Sequence, residues 1–470
     1  MNVQTEAASG SPRQAGGLKV ALVSIHGLIR GTELELGRNA DTGGQTKYVV
    51  QLTEALADCD GIGSVRLFTR LIDDPDHSAD YAQPLEPLRD KASIVRLACG
   101  GPLYVRKEEL YPHLDEYLDN FLAWCEENDW WPDVIHGHYA DGARVALDAA
   151  GRSGATFMFT GHSLGRNKRK VLLEAGEDAA TIEERYSFDE RIAIEEKALK
   201  EAQVVVASTS YEIETGYETY ENSAVARYRV LAPGIDLEQF HPYYYDEEPG
   251  FSRSEEQMQA ANRMRHEIGR FLTTPDRPMI LAISRPDRRK NIAGLVEAYG
   301  RDAELRELAN LVIFAGVRRD IEKMDDNERE VLTELLLLMD RFDLYGRLAL
   351  PKKHDPDTDI PELYRMAARQ QGVFINPALV ENFGLTIIEA AACGLPVVST
   401  GFGGPSDIIG NLNNGVLIDS SDRQQIVSAL KRLLTSREYW QECSDNGVMG
   451  VREHYVWSNH CSLYTGLGGQ

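Results

Sequence analysis

The chain has no long hydrophobic run. None of its 470 residues falls in an apolar stretch of about 18, the length that a membrane-spanning helix needs, so no membrane anchor is expected. The first 17 residues also lack the apolar core of a secretory signal, and we expect a flexible tail there, ending near Gly17. The sequence therefore predicts a cytoplasmic protein.

Basic residues are in deficit. The chain has 50 Lys and Arg against 74 Asp and Glu, a formal net charge of −24. A protein of this sign repels nucleic-acid phosphates and anionic lipid headgroups, so neither nucleic acid nor a membrane is expected as a partner. Small-molecule substrates remain, and local clusters of cations become informative.

Cysteine is scarce, and no metal-ligand spacing is present. The six cysteines show no close pairing, so we expect all of them to be reduced and partly buried. His136 and His138 share one side of a strand, but nearby Asp133 and Asp141 complete no familiar ligand set, so no metal site is expected.

Apolar strand-like runs alternate with helical patterns twice along the chain. This alternation is typical of doubly wound parallel sheets and predicts an α/β protein with two Rossmann-like domains. Ligands of such sheets bind at the carboxyl ends of the strands, so we expect the two domains to face each other across a cleft. The predicted division is a first domain over 18–240, joined by a C-terminal helix within 455–470, a connector and helix over 241–274, and a second domain over 275–454.

Two segments of the second half follow strands and suit a phosphorylated ligand. Arg285 and Lys290 leave the first strand of that half, where two cations can stabilise a departing diphosphate; a solvated basic turn is the alternative. Glu381 precedes a helix that contains Glu389, and the free N–H groups at the helix start can bind an anion. A glycosidase carboxylate pair and an ordinary capped helix are the alternatives here.

Three segments of the first half also follow strands. Asp41–Gln45 contains two glycines that permit close backbone approach, although a plain turn is equally consistent. Gly161–Gly165 matches the G-x-S-x-G elbow of serine hydrolases. Four cations follow it within Arg166–Lys170, which suits a phosphate better than the tightly packed helix that the elbow requires, so we place a hydrolase last.

Five stretches together resemble sucrose-phosphate synthases, which are retaining glycosyltransferases of family four with the GT-B fold. They are Ser24–Val50, Val134–Gly142, Thr160–Lys168, Ala282–Gly300 and Gly372–Thr400, and the resemblance extends over residues 18–465. It implies transfer of glucose from a nucleotide diphosphate glucose, UDP-glucose first, to fructose 6-phosphate, giving sucrose 6-phosphate. No obligatory cofactor is implied beyond the nucleotide sugar as co-substrate.

The resemblance also implies roles for individual residues. On the donor side it implies that Arg285 and Lys290 bind the diphosphate, Glu381 the glucose and Glu389 the ribose, with Phe383, Gly384, Leu385 and Thr386 as the backbone around the donor. His162 matches the active-site histidine and, with Arg285, Lys290 and Glu381, makes up the expected catalytic set. On the acceptor side it implies Gly43, Gly44 and Gln45 for the sugar and Lys107, Lys168 and Arg191 for the phosphate, with Arg106 and Arg185 as alternatives to Lys107 and Arg191.

The chain departs from the family in two ways. Asn382 stands where many relatives have proline, and this difference can change the rigidity of the loop before the helix that contains Glu389. The regulatory and phosphatase-like extensions of plant members are not found in this sequence, so we expect a separate sucrose-phosphate phosphatase to act on the product.

Several other activities stay open. A mannosylfructose-phosphate synthase using GDP-mannose would share every acceptor motif. A sucrose synthase would take free fructose and would not need the cations around Lys168. The nucleotide of the donor is not readable, because contacts to the base are mostly apolar or made by the backbone.

Overall fold

Two groups of parallel strands, each covered by helices, make up the computed structural model of this chain. It describes residues 16–35, 38–39, 41–247, 253–318 and 320–467. The predicted N-terminal tail lies, up to residue 15, outside the described residues. Two compact units are present. The first contains the chain up to Ala207, Ile213–Leu231 and a C-terminal segment from Trp457; the second contains Ser208–Glu212 and Ala232–Val456.

The first unit is built on an eight-stranded sheet of order β3-β4-β2-β1-β5-β6-β7-β8, parallel except at the β3–β4 edge. Its strands are β1 Leu18–Val23, β2 Ile62–Arg70, β3 Leu85–Arg89, β4 Ala92–Leu97, β5 Val134–His138, β6 Thr156–Thr160, β7 Val204–Ala207 and β8 Tyr228–Val230. The helices of this part of the chain are α1 Gly44–Ala57, α2 Leu114–Glu127, α3 Tyr139–Ser153, α4 Gly165–Glu174, α5 Ala179–Tyr186, α6 Phe188–Glu201 and α7 Ser210–Thr215.

The second unit has a six-stranded, fully parallel sheet of order β11-β10-β9-β12-β13-β14. Its strands are β9 Met279–Ser284, β10 Asn310–Ala315, β11 Leu348–Ala349, β12 Val373–Asn376, β13 Val397–Thr400 and β14 Gly415–Ile418. Its helices are α8 Glu255–Gly269, α9 Ile292–Arg301, α10 Ala303–Leu308, α11 Asp326–Arg341, α12 Asp359–Arg369, α13 Leu385–Ala392, α14 Pro405–Leu412, α15 Arg423–Thr435 and α16 Arg437–His454.

Central strands are apolar throughout because helices cover both faces of the sheet. In β1, Ala21 and Val23 belong to one buried cluster, while Val20 and Leu22 belong to the cluster on the opposite face. Burial of each such large aliphatic side chain contributes about 1.5–3 kcal/mol. The predicted α/β fold class, with two Rossmann-like domains, is confirmed.

The last helix, α17 Ser458–Leu467, belongs to the first unit. Its Tyr464 is fully buried in the cluster that covers α1, and Cys461 forms a disulfide with Cys59, with their Cα atoms 5.7 Å apart. The prediction that all six cysteines are reduced is therefore wrong for this pair, because the fold brings together positions that 402 residues separate. The remaining cysteines, Cys99, Cys125, Cys393 and Cys443, are free and buried.

The units divide the chain at other points than the predicted boundaries. Residues 232–240 fall in the second unit, where the N–H of Ile235 donates to the carbonyl of Tyr455. Helix α8 of the predicted connector is also part of this unit, and Met264 and Ile268 lie in its core. It begins with a capping box between Ser254 and Gln257, which satisfies free N–H groups of its first turn.

Candidate functional site

The Asp41–Gln45 segment forms the end of the loop that follows β1 and the first residues of α1. Gly43 caps α1 and Gly44 begins it, and a Cβ atom at either position would meet nothing within 4 Å. Gln45 donates from Nε2 to the Ser24 hydroxyl at 3.1 Å. The segment thus presents open backbone at the carboxyl end of the sheet, where ligands of parallel sheets bind.

Asp41 connects this loop to Lys107. The Lys107 ammonium lies 2.5 Å from one Asp41 carboxylate oxygen, and the hydroxyl of Tyr104 donates to the other at 2.7 Å. Burial alone would raise the pKa of Asp41, but the hydrogen bonds from Lys107 and Tyr104 outweigh it and lower that pKa. Asp41 therefore stays ionised and holds Lys107 beside the glycine loop.

Lys168 is the half-buried cation of α4. Its Nζ lies 4.2 Å from the centre of the Tyr186 ring. Burial lowers the pKa of Lys168, and the positive charge of Lys107 lowers it further. No carboxylate forms an ion pair with Lys168 among the residues that the structure describes. Lys107 is already paired with Asp41, so Lys168 is the cation of the two that would gain most from a bound anion.

Arg191 is more deeply buried than the predicted phosphate role suggests. Its guanidinium is paired with Glu195 at 2.9 Å, donates to the carbonyl of Ser163 at 2.6 Å, and lies 4.3 Å from the centre of the Tyr139 ring. The Glu195 carboxylate raises the pKa of Arg191 against the opposing effect of burial. In this arrangement Arg191 holds the turn between β6 and α4. Of the alternatives, Arg106 faces Glu108 and Arg185 lies against the Tyr186 ring.

His162 follows β6 in a left-handed conformation, with φ of 55°. That region is rare for residues other than glycine and often marks functional positions. Its Nε2 lies 2.9 Å from Nδ1 of His138, and its ring packs edge-on against Tyr48 at 5.0 Å. Burial lowers the pKa of His162 to about 3, so its ring is neutral at physiological pH.

Further histidines surround His162. His136 contacts the hydroxyls of Tyr464 at 2.6 Å and Thr160 at 2.8 Å, and Nε2 of His460 lies 3.3 Å from the Tyr48 hydroxyl. Despite these rings, no group of three or more His, Cys, Asp or Glu side chains is arranged to hold a metal ion in the described part of the chain.

One buried pair was missed by the sequence reasoning. His26, three residues past the end of β1, lies 2.7 Å from the carboxylate of Asp141 near the start of α3, and both side chains are buried. The polar exit of β1 was the signal that could have found His26. Nothing in the sequence indicated that Asp141 would be its partner.

In the second unit, Arg285 and Lys290 lie at the carboxyl end of β9. Arg285 is exposed, whereas Lys290 is half-buried and lies 2.6 Å from the Glu381 carboxylate. Asn376, at the end of β12, donates to the same Glu381 oxygen at 3.0 Å. The fold therefore brings together Lys290 and Glu381, which are 91 residues apart in the chain.

Glycines shape the backbone around Glu381 and the start of α13. Gly384 caps α13 with φ of 108°, a conformation that a side chain would strain. Gly403 pairs with Glu381, and a Cβ atom there would lie 1.9 Å from the Glu381 carbonyl oxygen. Leu385 and Thr386 open the helix, with Phe383 just before the cap, so the N–H groups of this turn are available to an anion.

Glu389 lies one helical turn further along α13. It accepts a hydrogen bond from the buried Tyr364 hydroxyl at 3.1 Å, and its side chain is half-buried. This bond helps to fix the direction of the carboxylate.

Two family models match the chain in succession. "Glycosyl transferase 4-like domain" matches residues 43–234, and "Glycosyl transferases group 1" matches residues 265–448. Both halves of the chain belong to glycosyltransferase families. Lys107, His162 and Lys168 lie inside the first match, and Arg285, Glu381 and Glu389 lie inside the second.

Curated relatives agree with the family models. The chain is 40% identical to sucrose-phosphate synthase 4 of Arabidopsis thaliana over 97% of its own length and 48% of the relative. It is 41% identical to a sucrose-phosphate synthase of Zea mays over 95% of this chain and 47% of the relative. The chain thus spans about half the length of the curated relatives that it matches. The resemblance to sucrose-phosphate synthases is confirmed.

Solved structures give the same result for the fold. A sucrose-phosphate synthase from Thermosynechococcus elongatus matches with a TM-score of 0.68 and 25% identity, over 96% of this chain and 97% of that one. An E. coli protein bound to UDP-2-fluoro glucose matches with a TM-score of 0.60 over 96% of this chain and 99% of that one, at 12% identity, a likeness of fold alone. The predicted GT-B fold is confirmed. Among the described residues, no helix is both long and apolar enough to pass through a bilayer.

Proposed function

We propose that this glycosyltransferase moves glucose from a nucleotide diphosphate glucose, UDP-glucose first, to fructose 6-phosphate and so makes sucrose 6-phosphate. The similarity to sucrose-phosphate synthases over nearly the whole chain supports the reaction. The observation that carries the acceptor assignment is the half-buried Lys168, which has Lys107 as a cationic neighbour and no carboxylate partner among the described residues.

The donor belongs, in this proposal, to the second unit. Arg285 and Lys290 bind the diphosphate, together with the N–H groups at the start of α13. Glu381 accepts hydrogen bonds from the glucose hydroxyls, and Glu389 accepts them from the ribose. The Lys290–Glu381 ion pair supports these two assignments, because it holds the cation for the diphosphate beside the carboxylate for the glucose.

The acceptor belongs to the first unit. Lys168 and Lys107 receive the phosphate of fructose 6-phosphate, and Gly43, Gly44 and Gln45 approach its sugar. Arg191 acts on the phosphate site through the turn that it holds at Ser163.

The configuration at the anomeric carbon is expected to be retained. The anomeric bond breaks as the diphosphate leaves, and the cations of Arg285 and Lys290 stabilise its charge. The new bond forms on the same face, and the departing phosphate oxygen takes the proton of the acceptor hydroxyl. A trapped covalent glucosyl-enzyme would contradict this path.

The hydrolase alternative is not favoured. The Ser163 hydroxyl is contacted by the Arg191 guanidinium at 3.5 Å, and no described histidine forms a hydrogen bond with it. A serine nucleophile needs a base within hydrogen-bond reach. We expect Ser163→Ala to keep most of the transferase activity, whereas loss of all activity would revive the hydrolase.

The reaction is tested by incubating the protein with fructose 6-phosphate and, separately, UDP-glucose, ADP-glucose, GDP-glucose and GDP-mannose. A product with the mass of a hexosyl-fructose phosphate that phosphatase converts to sucrose supports the proposal. A mannosylated product would favour mannosylfructose-phosphate synthesis, and equal turnover of free fructose would favour a sucrose synthase; either result contradicts it.

Three further points belong to the proposal. The reaction requires no metal, because side-chain cations and helix N–H groups neutralise the diphosphate, and turnover should persist with a chelator present. A separate phosphatase consumes the product. A cytoplasmic location also stays a prediction, for which the Cys59–Cys461 disulfide is unusual.

A further inference from the structure

One hydrogen bond joins the imidazole rings of His138 and His162, and one of the two rings supplies its proton. Nδ1 of His138 and Nε2 of His162 lie 2.9 Å apart, and the planes of the two rings make an angle of 29°. Burial lowers the pKa of both histidines far below the physiological range, so both rings are neutral. One ring must therefore donate to the other, and the direction decides which tautomer each one has.

The other nitrogen of His138 decides the direction. His138 is fully buried at the end of β5, and its Nε2 has no hydrogen-bond partner among the described residues. A buried N–H without an acceptor is costlier and rarer than a buried lone pair without a donor. The proton of His138 is therefore expected on Nδ1, where it has an acceptor in His162.

The tautomer of His162 follows. Because its Nε2 accepts the proton of His138, its own proton lies on Nδ1. This Nδ1 forms no hydrogen bond with a described residue, and residue 162 is partly accessible to solvent. The left-handed backbone at His162 and the edge-on Tyr48 ring fix the direction of the imidazole.

We propose that His138 is a positioning residue that fixes His162 as the Nδ1–H tautomer, so that His162 meets the substrate as a hydrogen-bond donor and not as a base. The inference rests on the proposed function for one point, that His162 is part of the active site, which its match to the active-site histidine of sucrose-phosphate synthases implies. The tautomer itself is a property of the free protein.

The test begins with a readout that does not depend on activity. The protein is labelled with 15N in its 11 histidines, and long-range proton–nitrogen correlations separate protonated from unprotonated ring nitrogens. His162→Gln assigns the signals of His162. We expect a protonated Nδ1 and an unprotonated Nε2 in His162. A protonated Nε2 would overturn the proposal, whether or not the protein makes sucrose 6-phosphate.

Variants of His138 test the positioning role. The amide nitrogen of His138→Asn lies where Nδ1 does and can donate, so this variant should keep the His162 tautomer and most of kcat. His138→Leu removes the donor and should lower kcat about 10-fold with a smaller change in KM. The melting temperature of each variant shows whether it is folded. Equal kcat for folded His138→Leu and the unaltered protein would overturn the proposal, as would equal losses in the two variants.

Discussion

Substitution of Lys168 by methionine should weaken binding of a phosphorylated acceptor and leave a neutral acceptor unaffected. Methionine keeps the apolar stem against the Tyr186 ring and removes only the charge. A charge-assisted hydrogen bond to a partly buried group contributes about 1.5–3 kcal/mol. A loss of about 2 kcal/mol corresponds to about 30-fold in kcat/KM for fructose 6-phosphate.

Lys170 provides the matched control. It lies two residues further along α4, its side chain is 72% exposed, and its charge faces Glu174 at 3.9 Å. Lys170→Met should therefore change kcat/KM by less than about 2-fold, because an exposed cation of this kind contributes little. Both variants are assayed by release of UDP from UDP-glucose, with fructose 6-phosphate and with fructose as acceptors.

The comparison of the two acceptors shows whether Lys168 binds the phosphate. If Lys168→Met lowers kcat/KM equally for fructose 6-phosphate and fructose, Lys168 does not bind the phosphate. If Lys170→Met has the larger effect on the phosphorylated acceptor, the site lies elsewhere on α4. Higher salt should also raise KM for fructose 6-phosphate more in the unaltered protein than in Lys168→Met.

Three further outcomes are expected. Lys290→Met should lower kcat about 100-fold or more in the UDP-release assay, because the leaving diphosphate loses a cation that stabilises its charge. Lys323, whose side chain is 84% exposed, is the control, and Lys323→Met should leave kcat unchanged. Similar rates for the two variants would contradict the donor assignment. Replacing Cys59 and Cys461 together by serine should cost about 2–4 kcal/mol in urea unfolding without reductant; an unchanged midpoint would show that the disulfide does not constrain the unfolded chain. Stability should also fall as pH drops from 6.5 towards 3, because burial lowers the pKa of His460 to about 3, so that the unfolded chain takes up a proton that the folded chain does not; a melting temperature with the same pH slope in His460→Gln would contradict this.

The strand exits were predictable from the sequence, whereas their partners were not. Arg285, Glu381 and His162 each follow a buried parallel strand, and the carboxyl ends of such strands carry ligands in this class of sheet. The contact of Lys107 with Asp41 joins residues 66 positions apart, and that of His136 with Tyr464 joins residues 328 apart. The hydrophobic periodicity of a sequence indicates local secondary structure and does not show which residues meet across such separations.

Some secondary structure also escaped the sequence reasoning for physical reasons. Strand β3 pairs antiparallel with β4 at the sheet edge and contains Pro87, so it lacks an apolar run and reads as a loop. Strand β8 is short, Tyr228–Val230, because the segment beyond it enters the second unit.

A crystal structure of the protein with UDP and fructose 6-phosphate bound together would test both phosphate sites at once. We expect the UDP diphosphate against Arg285, Lys290 and the start of α13, and the fructose phosphate within hydrogen-bond distance of the Lys168 ammonium. A structure in which either phosphate group is bound by other residues, with these cations turned away from it, would contradict both assignments.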